Sequence, residues 1–178
     1  MEEITSKVIM KRSLRFIIII SAAVLVFSCS SSRKYEEEER DLIEQYLSAH
    51  HLKTAPDANG LYSLELFQGI GDRIEVGDSV GVFYKMKYLD GTEVYSNNDE
   101  TTPLRFRVGT IGMIDGWTIG LTYMKKGGKA VFLIPSDLAY GPMGYGYYGT
   151  GERYVTVVPG YTPLLYEIEV VEHIKKSN

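Results

Sequence analysis

The chain has 178 residues, a formal net charge of −4, a hydrophobic fraction of 44% and a charged fraction of 24%. Those values bound it to one globular domain with flanking segments. Its basic residues are scattered along an acidic chain instead of gathered in a stripe, so nucleic acid is not expected as a partner.

From Lys11 the sequence reads Lys-Arg-Ser-Leu-Arg-Phe-Ile-Ile-Ile-Ile-Ser-Ala-Ala-Val-Leu-Val-Phe-Ser-Cys. A basic stretch leads into an apolar run shorter than the roughly 20 residues of a spanning helix, which is the pattern of an export signal. Residues 1–28 are expected to be that signal peptide, with Met10 a candidate start. Val26-Phe27-Ser28-Cys29 resembles a bacterial lipobox, in which Cys29 becomes the lipid-bearing first residue of the mature protein. The competing reading is an uncleaved anchor with an incidental cysteine, but the single Cys of the chain sits where a lipobox requires it. A lipid on Cys29 leaves no thiol for a disulfide, so the exported domain must fold without one. Removing residues 1–28 takes away four of the 19 basic and two of the 23 acidic residues, leaving 15 against 21.

After Cys29, Ser-Ser-Ser-Arg-Lys-Tyr-Glu-Glu-Glu-Glu reads as a polar tether. It resembles the serine-and-acid signals of surface-displayed lipoproteins of the Bacteroidetes type, and it also suits an ordinary tether. The expected location is the cell envelope, as an outer-membrane lipoprotein facing the periplasm or the surface. A helix is predicted from Tyr35 to Leu52, with Leu42, Ile43, Tyr46 and Leu47 as an apolar stripe and glutamates near its start, where the helix dipole favours them. It should end before Ala55-Pro56-Asp57. Residues 29–60 thus form the lipidated tether and N-terminal helix. His50 and His51 point to different sides of a helix and, with His173, are the only histidines. All three are expected on solvated surface, with no metal site.

Residues 61–178 change character. Alternating segments predict strands over Leu61–Phe67, Ser79–Leu89, Leu104–Val108, Lys129–Ile134 and Leu164–Val171. Val80, Val82, Tyr84, Met86 and Tyr88 share one face of the second, and Tyr166, Ile168 and Val170 one face of the last, with Glu167 and Glu169 turned outward. Asp90-Gly91 signals a hairpin. After Gly109 a short loop reaches Trp117, the only tryptophan, where a helix should start: Trp117, Leu121 and Met124 fall at i, i+4 and i+7. Gly127-Gly128 reads as its stop. The fold class is therefore α+β, a curved antiparallel β-sheet wrapped over a short α-helix and preceded by an N-terminal helix.

Across Leu61–Ile174 a series of motifs occurs in a telling order. It runs Gly77-Asp78-Ser79-Val80-Gly81-Val82-Phe83-Tyr84, Leu89-Asp90-Gly91-Thr92-Glu93-Val94-Tyr95-Ser96, Val108-Gly109, Ile114-Asp115-Gly116-Trp117 and Gly120-Leu121. It continues with Met124-Lys125-Lys126-Gly127-Gly128, Ile134-Pro135, Leu138-Ala139-Tyr140-Gly141 and Tyr166-Glu167-Ile168-Glu169-Val170. Together these resemble an FKBP-type peptidyl-prolyl cis-trans isomerase, and the lipobox with its helix resembles the lipoprotein members found in Bacteroidetes. The resemblance implies an FKBP-like fold, proline-containing polypeptides as partners, and no cofactor or metal.

That chemistry suits what the chain lacks: no glycine-rich loop followed by lysine and no nucleophilic serine in a recognisable elbow. By resemblance Trp117 is the pocket floor, with Tyr84, Leu104, Phe106, Met113, Ile114, Tyr140 and Tyr166 as walls and rim. The Ile114 N–H and the Tyr140 hydroxyl are then placed to hold carbonyls of the bound chain. On composition alone Phe106, Trp117 and Tyr166 read as ordinary core. Where family members carry Phe then Asp after the Asp-Gly turn, this chain has Val94 and Tyr95, and Leu104 stands where a phenylalanine is common. The aromatic lining shrinks and an acid is lost, which implies weak macrolide binding and reduced isomerase activity.

The segment Gly141–Pro163 is longer than the family loop it resembles, which overhangs the pocket. Tyr145, Tyr147, Tyr148 and Tyr154 offer amphipathic contact area in it; a floppy insertion or an extra hairpin around Val155–Val158 is the alternative. Two functions stay open at this point. One is an exported, membrane-anchored isomerase assisting proline-containing envelope proteins to fold. The other is a non-catalytic binding or chaperone module using the tyrosine-rich loop.

Overall fold

Period-two alternation decides the architecture. The computed structural model describes residues 32–149 and 154–177, so the signal peptide expected over 1–28 and the lipobox-like stretch ending at Cys29 lie outside the described residues. The strands are β1 (Tyr62–Phe67), β2 (Ile70–Arg73), β3 (Ser79–Tyr88), β4 (Glu93–Ser96) and β5 (Leu104–Arg107), then β6 (Lys125–Lys126), β7 (Lys129–Ile134), β8 (Tyr145–Tyr148), β9 (Tyr154–Val158) and β10 (Leu164–Ile174). The main sheet is antiparallel in the order β1-β7-β10-β3-β4, with β5 pairing the first half of β3 where β4 pairs the second. Along β3, Val80, Val82 and Met86 are buried with Tyr84 and Tyr88 half-buried beside them; Tyr166, Ile168 and Val170 of β10 are buried on the same face. On the opposite face Glu167 pairs with Lys87, and Glu169 with Lys129 at 2.9 Å.

The inner face packs against helix α2 (Asp115–Thr122), whose Trp117 and Leu121, with Met124 just beyond it, are buried as their spacing predicts. Gly116 and Gly120, one turn apart, let the helix lie close on β7: a Cβ on Gly116 would come within 2.4 Å of Ile134 Cγ2, and one on Gly120 within 2.6 Å of Phe132 Cε2. The helix stops at Thr122 and not at Gly127-Gly128. Tyr123 turns its N–H back to Gly120 O, and the Met124 carbonyl accepts the Ile74 N–H at 3.1 Å. Lys125–Lys126 is thereby drawn out as β6 beside β2, and the glycine pair forms the turn into β7, with Gly127 at φ 76°.

The N-terminal helix, α1, spans 32–49. Residues 32–38 belong to a first unit of the chain, and those from Glu39 onward to a second that contains every strand. Within the second unit Ile43 is buried against Leu133 and Leu165 on the outer face of the sheet, with Tyr46 and Leu47 packed beside it. Leu42, expected in that stripe, is exposed instead, because residues one apart on a helix point about 100° apart. Helix α1 ends ahead of Ala55-Pro56, and His50 and His51 are exposed.

His173 departs from the expectation of a solvated histidine. Its side chain is 7% exposed, and its Nε2 lies 2.7 Å from Asp78 Oδ2. Asp78 also accepts the Glu75 N–H at Oδ2 and the Lys176 N–H at Oδ1, each at 2.9 Å. One buried carboxylate thus ties the turn ahead of β3 to the end of β10.

Of the two readings of the long loop, an extra hairpin forms. β8 and β9 pair antiparallel, Val158 is fully buried, and the Tyr88 hydroxyl donates to the Val157 carbonyl. Its base is tight: a Cβ on Gly144 would meet Val158 O at 2.1 Å, and one on Gly160 would meet Pro142 O at 2.0 Å.

Candidate active site

Four of the elements above deliver aromatic side chains to one place on the inner face. Tyr84 from β3 meets the Trp117 indole edge-on, with ring centroids 4.8 Å apart and planes at 86°; Tyr166 from β10 meets it at 5.4 Å and 87°. Phe106 from β5 lies 5.6 Å away at 44°. Edge-to-face pairs in this range are favourable because a positive ring edge meets a negative face. The sequence-predicted Val94, Met113, Ile114 and Tyr140 are half-buried and packed on the same cluster. The indole is only 3% exposed, so the expected floor lies beneath its walls. The Trp117 Nε1–H is buried without a hydrogen-bond partner among the described residues.

Two of the predicted site residues, the wall residue Leu104 and the departure position Tyr95, sit further out. Leu104 is 42% exposed at the outer end of β5, on the same face as Phe106 but beyond the packed cluster. Tyr95 is 45% exposed; its ring lies 5.4 Å from that of Tyr84, and its hydroxyl donates to Glu100 Oε1 at 3.3 Å. The phenol therefore stands where the resemblance places an acid, but it turns its polar end toward a surface carboxylate.

The Ile114 carbonyl accepts the Trp117 and Thr118 N–H groups at the start of α2, which fixes the residue whose N–H was expected to face a bound chain. Burial pushes the Tyr166 phenol well above its ordinary range, with the Tyr140 hydroxyl beside it adding to the shift, and its O–H donates to Met86 Sδ at 2.8 Å. Burial likewise pushes the Tyr84 phenol up to about 12, helped by Tyr95 and Tyr140. Both stay neutral hydrogen-bond donors near neutral pH, so the wall presents hydroxyls without charge.

Sequence reasoning missed two contributors. Asn97, buried between β4 and β5, accepts the Tyr84 N–H at Oδ1 (2.7 Å) and donates from Nδ2 to Val82 O (3.2 Å). Its own N–H donates to Tyr84 O at 3.1 Å. It fills the gap in the ladder where neither β4 nor β5 reaches β3, and so holds the backbone of the first wall tyrosine. The only signal was an Asn-Asn pair after a strand, which ordinarily marks a turn. Tyr145, read only as part of an overhanging loop, stacks on Tyr140 at 5.1 Å and 27°, so the hairpin braces the rim.

The chain is 31% identical over 137 residues to the FKBP-type peptidyl-prolyl cis-trans isomerase FkpA of Escherichia coli (strain K12), covering 77% of this chain and 46% of that protein. It therefore spans about half the length of the FkpA relatives it matches. It is 34% identical to an FK506-binding protein of Neisseria meningitidis serogroup B, over 64% of this chain and 95% of that one. In structure it is similar to a peptidyl-prolyl cis-trans isomerase from Pseudomonas syringae pv. tomato str. DC3000, with a TM-score of 0.64, 28% identity, and coverage of 81% of this chain and 96% of the other. The family model for FKBP-type peptidyl-prolyl cis-trans isomerase matches residues 71–171. That span runs from β2 into β10, takes in every aromatic wall of the site and exceeds half of the sequence, so this chain belongs to the FKBP-type peptidyl-prolyl cis-trans isomerase family.

Proposed function

We infer that the chain is a peptidyl-prolyl cis-trans isomerase acting on proline-containing polypeptides in the cell envelope, held there by a lipid on Cys29. The observation that carries the activity is the Trp117 indole walled edge-on by Tyr84 and Tyr166, with Tyr140 at the rim. Resonance holds the X–Pro amide planar behind a barrier of about 18–20 kcal/mol. The twisted amide carries less charge separation than the planar one, so an apolar, water-poor site favours it, while a few fixed donors orient the carbonyls. Tyr84, Phe106, Trp117 and Tyr166 supply the apolar surroundings, and the Tyr140 hydroxyl and Ile114 N–H are the donors. No bond is made or broken, so no nucleophile is required.

A holding module is the second reading, favoured by the exposed Tyr147, Tyr148 and Tyr154 of the hairpin. An isomerisation assay on a short X-Pro peptide separates the two: turnover above the uncatalysed rate is expected, and none would leave the holder. Run beside it, Tyr95→Asp is expected to raise both turnover and the weak affinity for tacrolimus or rapamycin, because it restores a carboxylate beside the Tyr84 ring. Unchanged values for both would show the phenol to be neutral there. The anchor is tested separately. Cys29→Ser is expected to release a folded soluble domain, since the lipid supplies attachment and the core begins well beyond it; retention on membranes after a salt wash would refute the anchor.

A further inference from the structure

Helix α1 carries the run Glu36–Glu39, three of whose glutamates are exposed while the fourth, Glu39, is 7% exposed. Both oxygens of that buried carboxylate are spent on one residue: Oε1 accepts the Ser136 N–H at 2.5 Å, and Oε2 accepts the Ser136 hydroxyl at 2.6 Å. Ser136 is itself buried and lies just past the end of β7. It opens a short 3-10 turn, Ser136–Leu138, closed by the Ala139 N–H on Ser136 O at 2.8 Å, and Tyr140 follows directly. A buried carboxylate is costly unless its lone pairs are met, and a buried serine left without an acceptor for N–H and O–H is costly too. Two bonds to one residue fix its orientation as well as its position, which an apolar contact would not do. Glu39 belongs to a helix on the outer face of the sheet, and Tyr140 stands on the inner face with its hydroxyl beside Tyr166.

We propose that Glu39 is a positioning residue for the aromatic site: through Ser136 it fixes the turn that presents Tyr140, so the helix behind the sheet sets the rim in front of it. This rests on reading Tyr140 as the rim donor of an isomerase. The helix then has a part in the chemistry beyond covering the outer face.

The test compares Glu39→Ala, Glu39→Gln and Leu47→Ala with the full chain. Leu47 packs on the same helix two turns on without reaching Ser136, so its truncation loosens helix packing and serves as the stability control. Glu39→Ala is expected to lower kcat/KM on an X-Pro peptide by about tenfold, short of the roughly hundredfold that a misplacement of about 1 Å can cost. Glu39→Gln keeps an acceptor for the Ser136 N–H and should recover most of that loss, and Leu47→Ala should leave turnover near wild type despite a similar fall in Tm. Independently of turnover, 19F NMR of fluorotyrosine-labelled protein reads the Tyr140 resonance, identified by its absence in Tyr140→Phe. It should move in Glu39→Ala and stay in Leu47→Ala. An unmoved Tyr140 signal in Glu39→Ala, or equal effects from Leu47→Ala, overturns the proposal. If wild type shows no turnover, the isomerase reading fails, and the 19F comparison still decides the positioning role. Should Glu39→Ala fail to fold, Ser136→Ala removes only the hydroxyl bond and must move the same signal, by less, for the proposal to stand.

Discussion

Trp117→Leu is expected to abolish most prolyl-peptide binding while leaving a folded protein. The leucine keeps the centre of the site apolar but removes the wide indole against which Tyr84, Phe106 and Tyr166 are arranged. Truncating a buried aromatic to alanine costs about 3–5 kcal/mol, and a bulky aliphatic recovers part of that, so stability should fall by about 1–2 kcal/mol. Losing the platform for a proline ring removes the burial of one apolar side chain, about 1.5–3 kcal/mol, or roughly tenfold to a hundredfold in affinity. Peptide titration and denaturant unfolding on the same samples decide the matter. If stability falls while the folded protein's peptide affinity stays at the wild-type value, Trp117 is core and nothing more.

Asp78→Ala should destabilise the domain by about 3 kcal/mol, because it strips the acceptor from His173 and from two backbone N–H groups in one buried spot. Burial alone would raise this carboxyl; the His173 imidazole and the Lys176 and Glu75 N–H groups outweigh it and hold Asp78 at about 2, below its ordinary 3.8. The folded state therefore favours the ionised form, and the resulting stability is fully present above about pH 4 and is lost as pH falls from there through about 2. The difference amounts to about 2 kcal/mol. Urea unfolding at pH 7, 4, 3 and 2 should show wild type losing its advantage over Asp78→Asn across that window. Parallel curves for the two proteins would remove Asp78 as the source of acid sensitivity.

How much of this was legible depends on range. β3 and β10 were readable because ten or more residues of alternation leave no other period, and α2 because Trp117, Leu121 and Met124 mark one face. The strands β2, β4 and β6 have two to four residues each, too few for any pattern, and β6 carries lysines that looked like a helix end. Of the site, the positions of Trp117, Tyr84, Phe106 and Tyr166 could be placed through motif order. The exposure of Tyr95 and its hydrogen bond to Glu100 could not. Glu39 and Ser136 are 97 residues apart, as Asp78 and His173 are 95. In each case the sequence near the acid looks like solvated charge, and only the folded chain supplies its partner.

The interlocked glycines at the base of the β8–β9 hairpin bear on how such a protein can diversify. Gly144 and Gly160 admit no side chain without displacing the carbonyls of Val158 and Pro142, so the two arms are clamped where they leave the rim. Beyond such a clamp a longer hairpin connection costs little, since each doubling of loop length adds only about 0.6 kcal/mol of closure entropy. Changes beyond the clamp therefore leave Tyr145 stacked on Tyr140, and the rim in place.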